Sequence, residues 1–198
     1  MKIIVIGSNG TIGSKVYQHL RQKHDVIGVS RNNGNMDITS EKSIREFFEK
    51  TGPVDAVVNC AGTVKWNDLY EMTEADFFIG IKSKMMGQVN LVRIAKEFLN
   101  TGGSITLTTG ILAEDPVYKT SGAALVNGAI NSFVIAAARE LKNGIRINVV
   151  SPGLVEDSAF KIGDLFPGHE AVPMKKVVNG YVKSIEGNIT GEVIRIYG

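Results

Sequence analysis

Apolar residues follow two rhythms along this chain. Ile3, Ile4, Val5 and Ile6 are consecutive and β-branched, a pattern that predicts a strand buried on both faces. Ile12, Val16 and Leu20 then recur every four residues, one apolar stripe along a helix. Between them lies Gly7-Ser8-Asn9-Gly10-Thr11-Ile12-Gly13, so the opening order is strand, glycine turn, helix.

The exchange between strand and helix repeats downstream. Residues 25–30 (DVIGVS) predict a second strand, closed by the turn cluster Arg31-Asn32-Asn33-Gly34, and residues 35–38 are long enough only for a short third. The next helix has Ile44, Phe47 and Phe48 on its buried face, Thr39 or Ser40 as cap, and Gly52-Pro53 at its end. Residues 55–60 (DAVVNC) make strand four. A loop with Trp66 leads to a long helical region over residues 73–99, which Gly102-Gly103 would terminate. Residues 104–109 (SITLTT) are strand five, 121–141 a strongly apolar helix, 145–150 strand six, and 192–197 a last strand.

Such alternation demands an α/β fold, a parallel sheet covered on both sides by right-handed crossovers. In that architecture ligands gather outside the carboxyl ends of the strands. Gly7, Ser30-Arg31, residues 59–62, Thr108-Thr109 and residues 151–155 are therefore expected in one cleft.

The totals narrow the class. With 198 residues, 43% of them hydrophobic and 21% charged, the chain fits a single domain over 1–198. A net charge of +2, with basic residues scattered among acidic ones, makes no case for nucleic acid or an anionic membrane. The N-terminal apolar run is one strand long and cut by glycines, which fits neither a signal peptide nor a spanning helix and points to the cytoplasm. Cys60 stands alone, so no internal disulfide can form, and core filling is its expected role. His19, His24 and His169 lie apart, without metal-ligand spacing, so no metal is expected.

The glycine turn carries the first chemistry. A turn poor in side chains lets backbone N–H groups approach a pyrophosphate, whose charge the positive end of the helix dipole favours. The G-x-x-G-x-x-G spacing differs from the commonest dinucleotide fingerprint, and it gains weight from the strand before it and the helix after it. Without a ligand, the same residues would be a tight strand-helix turn. At the end of strand two, Ser30 and Arg31 stand where a carboxylate would accept from a ribose 2′-OH; a guanidinium there suits a 2′-phosphate instead, unless Arg31 is simply solvated.

Together these residues resemble the short-chain dehydrogenase/reductase family over essentially the whole chain. The matching pieces are Gly7-x-x-Gly10-x-x-Gly13, the aspartate of Asp37-Ile38-Thr39, Asn59-Cys60-Ala61-Gly62, the strand ending Thr108-Thr109, and Pro152-Gly153. The resemblance implies a Rossmann-type, doubly wound parallel sheet in order 3-2-1-4-5-6-7, within three α/β/α layers. It also implies an NAD(P) cofactor and hydride transfer to or from a carbonyl or alcohol. Gly7, Ser8, Asn9, Gly10, Thr11, Ile12 and Gly13 would hold the pyrophosphate, with Ser30 and Arg31 selecting NADP(H) over NAD(H). Asp37 and Ile38 would flank the adenine. Asn59, Ala61 and Gly62 would line the ribose side, although Asn59 could equally close a turn on its own backbone. Pro152, Gly153, Leu154 and Val155 would border the nicotinamide.

The chain departs from the family in its catalytic set, which needs a strand-end serine, a Tyr-x-x-x-Lys and a helix asparagine. Thr109 stands for the serine. Tyr118 is the best tyrosine, but Gly122 lies where the lysine should be, and the asparagine region reads Ile81-Lys82-Ser83-Lys84. One reading is an NADP(H)-dependent oxidoreductase of a small carbonyl or alcohol, in which Thr109 and Tyr118 donate to the substrate oxygen and Lys82 or Lys84 supplies the positive charge. The alternative is a weak or inactive dinucleotide-binding protein serving as redox sensor or regulatory partner. Both lysines could also be ordinary solvated residues.

The resemblance implies that the segment after Gly153 lids the substrate; its apolar Phe160, Ile162, Leu165 and Phe166 then suit a small, partly hydrophobic ligand, or else simply pack on the sheet, and Glu156 and Asp157 would repel carboxylates. The helix over 121–141 is apolar nearly all round, which requires cover on both sides. By the resemblance, a second subunit provides it, in a homodimer or homotetramer.

Overall fold

The computed structural model describes residues 1–30 and 36–198. Side chains alternate across a strand, and β1 (Lys2–Ile6) uses both faces. Ile3 and Val5 enter a core with Val16 and Leu20 of α1 (Thr11–Leu20), while Ile4 and Ile6 enter another with Ile44 and Phe48 of α2 (Glu41–Thr51). The other strands are β2 (Asp25–Val29), β3 (Val54–Asn59), β4 (Leu99–Thr108), β5 (Arg146–Pro152) and β6 (Val193–Ile196). They form one parallel six-stranded sheet in the order β2-β1-β3-β4-β5-β6, the expected doubly wound arrangement.

The seventh strand is not seen among the described residues. Of the stretch 35–38, Asn35 lies outside them, and Met36, Asp37 and Ile38 join no described strand. Met36 and Ile38 turn into the core beneath α2 instead. Ser40, not Thr39, caps α2: its Oγ accepts from Ser43 N at 3.2 Å.

The helical region expected over 73–99 is shorter and broken. Thr73 opens α3 (Glu74–Gly80) through a capping box with Asp76; a π-helical turn, Ile81–Met86, follows, and α4 (Gly87–Ala95) completes it. Leu99 already pairs with Val54, so Gly102-Gly103 lies inside β4, beside a register shift, and does not stop a helix.

α5 (Ser121–Glu140) packs on the sheet through Ile130 and Val134 against Ile105, Leu107, Ile147 and Val149. By length and composition it could cross a membrane, yet here it is a covering helix of the α2 and α4 layer. On the opposite face α7 (Met174–Glu186) joins α1, burying Val177, Tyr181 and Ile185. α6 (Glu156–Ile162) lies between β5 and α7 in sequence. Neither α6 nor α7 is among the elements expected from sequence.

Candidate active site

The glycine turn is shaped by close approach. Gly7 has a φ of +80°, and a Cβ there would lie 2.9 Å from Ala61 N. At Gly13 a Cβ would fall 2.1 Å from Gly7 O, so α1 can sit on the turn only with glycine at that position. Gly10 caps α1 without a side-chain hydrogen bond, and the first turn carries no acidic residue. Gly10 N is spent on Gly7 O at 2.9 Å, so the amides of Thr11, Ile12 and Gly13 are the ones left for a ligand, and no acidic side chain of the first turn opposes the positive end of the helix dipole. Gly7 N donates to Val29 O at 2.8 Å and Asn9 Nδ2 to Ser30 Oγ at 3.0 Å, which ties the turn to the end of β2.

These elements border a cleft of about 360 Å³, lined by Gly7, Asn9, Gly10, Ser30, Asp37, Ile38, Ala61 and Gly62 among others. Eight residues expected at the cofactor therefore meet there. Arg31 lies outside the described residues. Ser8 is buried, its Oγ donating to Val29 O at 3.3 Å, and Asn59 is fully buried with Nδ2 donating to Ala61 O at 2.8 Å. Both shape the cleft from behind, and for Asn59 this is the turn-closing role. The Asp37 carboxylate accepts from Thr39 N at 2.9 Å and Thr39 Oγ1 at 2.8 Å. Cys60 also lines the cleft; burial pushes its thiol up to about 11, so at neutral pH it is no thiolate nucleophile.

A second cavity, about 180 Å³, opens beside the ends of β4 and β5. Ile12, Pro152, Gly153 and Val155 line it, together with Lys84 and Thr109. Lys84 joins the two spaces. A Cβ on Gly62, in the first cleft, would lie 2.8 Å from Lys84 Cγ, and Lys84 Nζ reaches Thr109 O at 3.5 Å, in the second. Withdrawal from water lowers its ammonium to about 8. Lys82, two residues earlier in the π-helical turn, lies outside, its Nζ 5.7 Å from the Phe78 ring centroid. Of the two lysines, only Lys84 faces the cavity.

The rest of the expected catalytic set is divided. Thr109 lines the cavity, held from two sides: its Oγ1 donates to Asn131 Oδ1 at 2.9 Å, and Gln88 pairs with both backbone groups of neighbouring Thr108 at 3.0 Å. Thr108 points the other way and bonds Asn59 O and Tyr181. Tyr118 is not brought to the cavity. It is 68% exposed on the loop before α5, and its hydroxyl donates to Asp68, which raises its pKa, the reverse of what an acid catalyst needs. Nor does Gly122 face the cavity; a Cβ there would meet Lys65 O at 3.2 Å. The residues of α5 that line the cavity are Ala123 and Asn127, one turn apart.

The sheet, the glycine turn and the strand-end cleft have counterparts in known proteins. Residues 9–181 match the family described as enoyl-(acyl carrier protein) reductase. The chain belongs to the short-chain dehydrogenase/reductase family. Among solved structures, the protein lin1944 from Listeria innocua is 43% identical over all of both chains, with a TM-score of 0.97. A small-chain dehydrogenase in complex with NADPH is 27% identical, covering 100% of this chain and 96% of that one, with a TM-score of 0.89. The short-chain dehydrogenase/reductase ATR9 of Stachybotrys chlorohalonatus is 31% identical over 77% of this chain and 63% of its own length. Against two further curated relatives the chain spans 49% and 53% of their length.

Three contributions were not anticipated from sequence in this short-chain dehydrogenase/reductase. Trp66 forms a cavity wall with Phe166, their ring centroids 6.2 Å apart. Gln88 fixes the end of β4. Asn127 lies in the cavity wall, and its signal was present: Asn127 and Asn131, four apart, are the two asparagines on the buried side of a mostly apolar helix. Glu156, expected to repel carboxylates, is engaged by Met174 N at 2.7 Å, at the start of α7. Phe166 is buried in the wall, whereas Phe160 is 79% exposed and is not among the residues lining the cavity.

Proposed function

We propose that the protein is an NADP(H)-dependent oxidoreductase of a small carbonyl or alcohol, with Lys84 as its proton-holding group. The observation that carries this reading is the uncapped start of α1 over a glycine-built turn, opening on a cleft that Lys84 joins to a second, mostly apolar cavity. The residues fit a dinucleotide: amides of residues 11–13 for the pyrophosphate, Ile38 and Asp37 for the adenine, Ala61 and Gly62 along the ribose, and Pro152, Gly153 and Val155 at the nicotinamide. When bound, the reduced form supplies hydride to a carbonyl carbon. Lys84 then has the proton that the carbonyl oxygen takes up, and with a pKa of about 8 it is largely charged at neutral pH and able to give it. Thr109 holds the wall beside it. The NADPH complex of a relative 27% identical supports a nicotinamide dinucleotide here.

Preference for NADP(H) rests on the sequence, in which Arg31 directly follows Ser30, the residue that Asn9 ties to the turn. Arg31→Asp should reverse the relative affinity for NADPH and NADH, measured by calorimetry; unchanged relative affinity contradicts it. Activity is tested with NADPH against aldehydes, ketones, quinones and imines. A rise in melting temperature with NADPH but no turnover on any of them would favour the second reading, a dinucleotide-dependent sensor, which the placement of Tyr118 outside the cavity supports.

A further inference from the structure

Two asparagines interrupt the buried side of α5, and only one has a partner for its oxygen. Asn131 Oδ1 accepts from Thr109 Oγ1. Asn127 is 2% exposed, its Nδ2 reaches Gly110 O only at 3.5 Å, and its Oδ1 accepts from no group among the described residues. A buried amide oxygen without a donor destabilises the fold, and a leucine would occupy the same volume without that cost. What leucine lacks is an acceptor. Lys84, in the same cavity, offers donors only, and much of the remaining wall is apolar, with Ile12, Trp66, Leu112 and Phe166.

We infer that Asn127 anchors the bound ligand, its amide oxygen accepting a hydrogen bond from a hydroxyl group while Lys84 donates to a neighbouring oxygen. The ligand is thus one that carries a hydroxyl as well as an oxygen that Lys84 can serve, since both side chains line the same cavity. Two molecules offer that chemistry: the nicotinamide ribose of the dinucleotide, or a hydroxy-carbonyl substrate. A cavity with the volume of about six waters holds a ring of six atoms. The inference rests on the cleft binding a dinucleotide and a carbonyl compound, as proposed above.

The test uses wild type, Asn127→Leu and Asn127→Ala, read in two arms. Calorimetry gives the affinity for NADPH. Emission of Trp66, the single tryptophan and part of the cavity wall, gives the affinity for 2-hydroxycyclohexanone and for cyclohexanone, without dinucleotide. If the partner is the ribose, NADPH affinity falls about tenfold in both variants; if it is the substrate, a roughly tenfold preference of wild type for the hydroxyketone disappears. Without ligand, Asn127→Leu melts no lower than wild type. Equal NADPH affinity and equal ketone discrimination in wild type and both variants overturn the inference. A wild type that binds no NADPH overturns the dinucleotide reading, and the ketone arm then decides Asn127 by itself.

Discussion

Lys84 is a cation held where water is scarce, and its chemistry is exposed to pH in two ways. Its folded pKa, about 8, lies below the ordinary 10.5, so between these values the unfolded chain binds a proton that the folded chain has released. Stability should therefore rise with pH across that window, by at most about 1.4 kcal/mol per pH unit, and this contribution is flat below it. Lys84→Met should abolish the rise and stabilise the fold at pH 7 by on the order of 1–3 kcal/mol, both read from urea denaturation at pH 7, 9 and 10.5. Carbonyl reduction should fall as pH passes 8 in wild type and be lost in the variant. Full activity in Lys84→Met, or in Tyr118→Phe a loss as large as that predicted for Lys84→Met, would contradict the assignment. Gly62→Ala should lower the rate too, because a methyl group there displaces the Lys84 stem.

At the scale of elements, the strand-turn-helix unit is the part most open to inspection in the sequence. Four β-branched residues, three glycines and an apolar stripe leave β1, its turn and α1 few alternatives. A Gly13→Ala substitution should cost on the order of 3 kcal/mol or more and remove dinucleotide binding, since its Cβ would overlap Gly7 O; this is checked by thermal melting with and without NADPH. Elements whose cues were local but whose cause is tertiary were harder to read. The π-helical turn that aims Lys84 inward leaves no periodic mark in Ile81–Met86. Gly102-Gly103 has the composition of a helix stop but serves a strand that starts earlier, because pairing of Leu99 with Val54 overrides it. α7 did show a helical period, in Met174, Val177, Val178, Tyr181 and Ile185, within a stretch that the resemblance cast as a lid. Tyr118 misled because residue type was legible and direction was not: its loop turns it toward Asp68.

For the whole molecule, α5 leaves a question that its own layer does not answer. Leu125 and Ile135 are each 47% exposed on a helix otherwise engaged with the sheet, and Phe78, Ile79 and Met86 are exposed on the α3 region beside it. We propose that a second copy covers this face in a two-fold dimer. Leu125→Glu with Ile135→Glu should leave the melting transition of the monomer intact and halve the mass by light scattering at micromolar concentration; a wild type already monomeric there contradicts the proposal.

Every role given to these residues depends on a dinucleotide lying along the start of α1. Isothermal calorimetry of the wild type with NADPH, NADH and their oxidised forms measures this most directly. Saturable binding of NADPH, tighter than that of NADH and absent in Gly13→Ala, is the predicted result. No heat of binding with any of the four, from a protein shown to be folded, would contradict it.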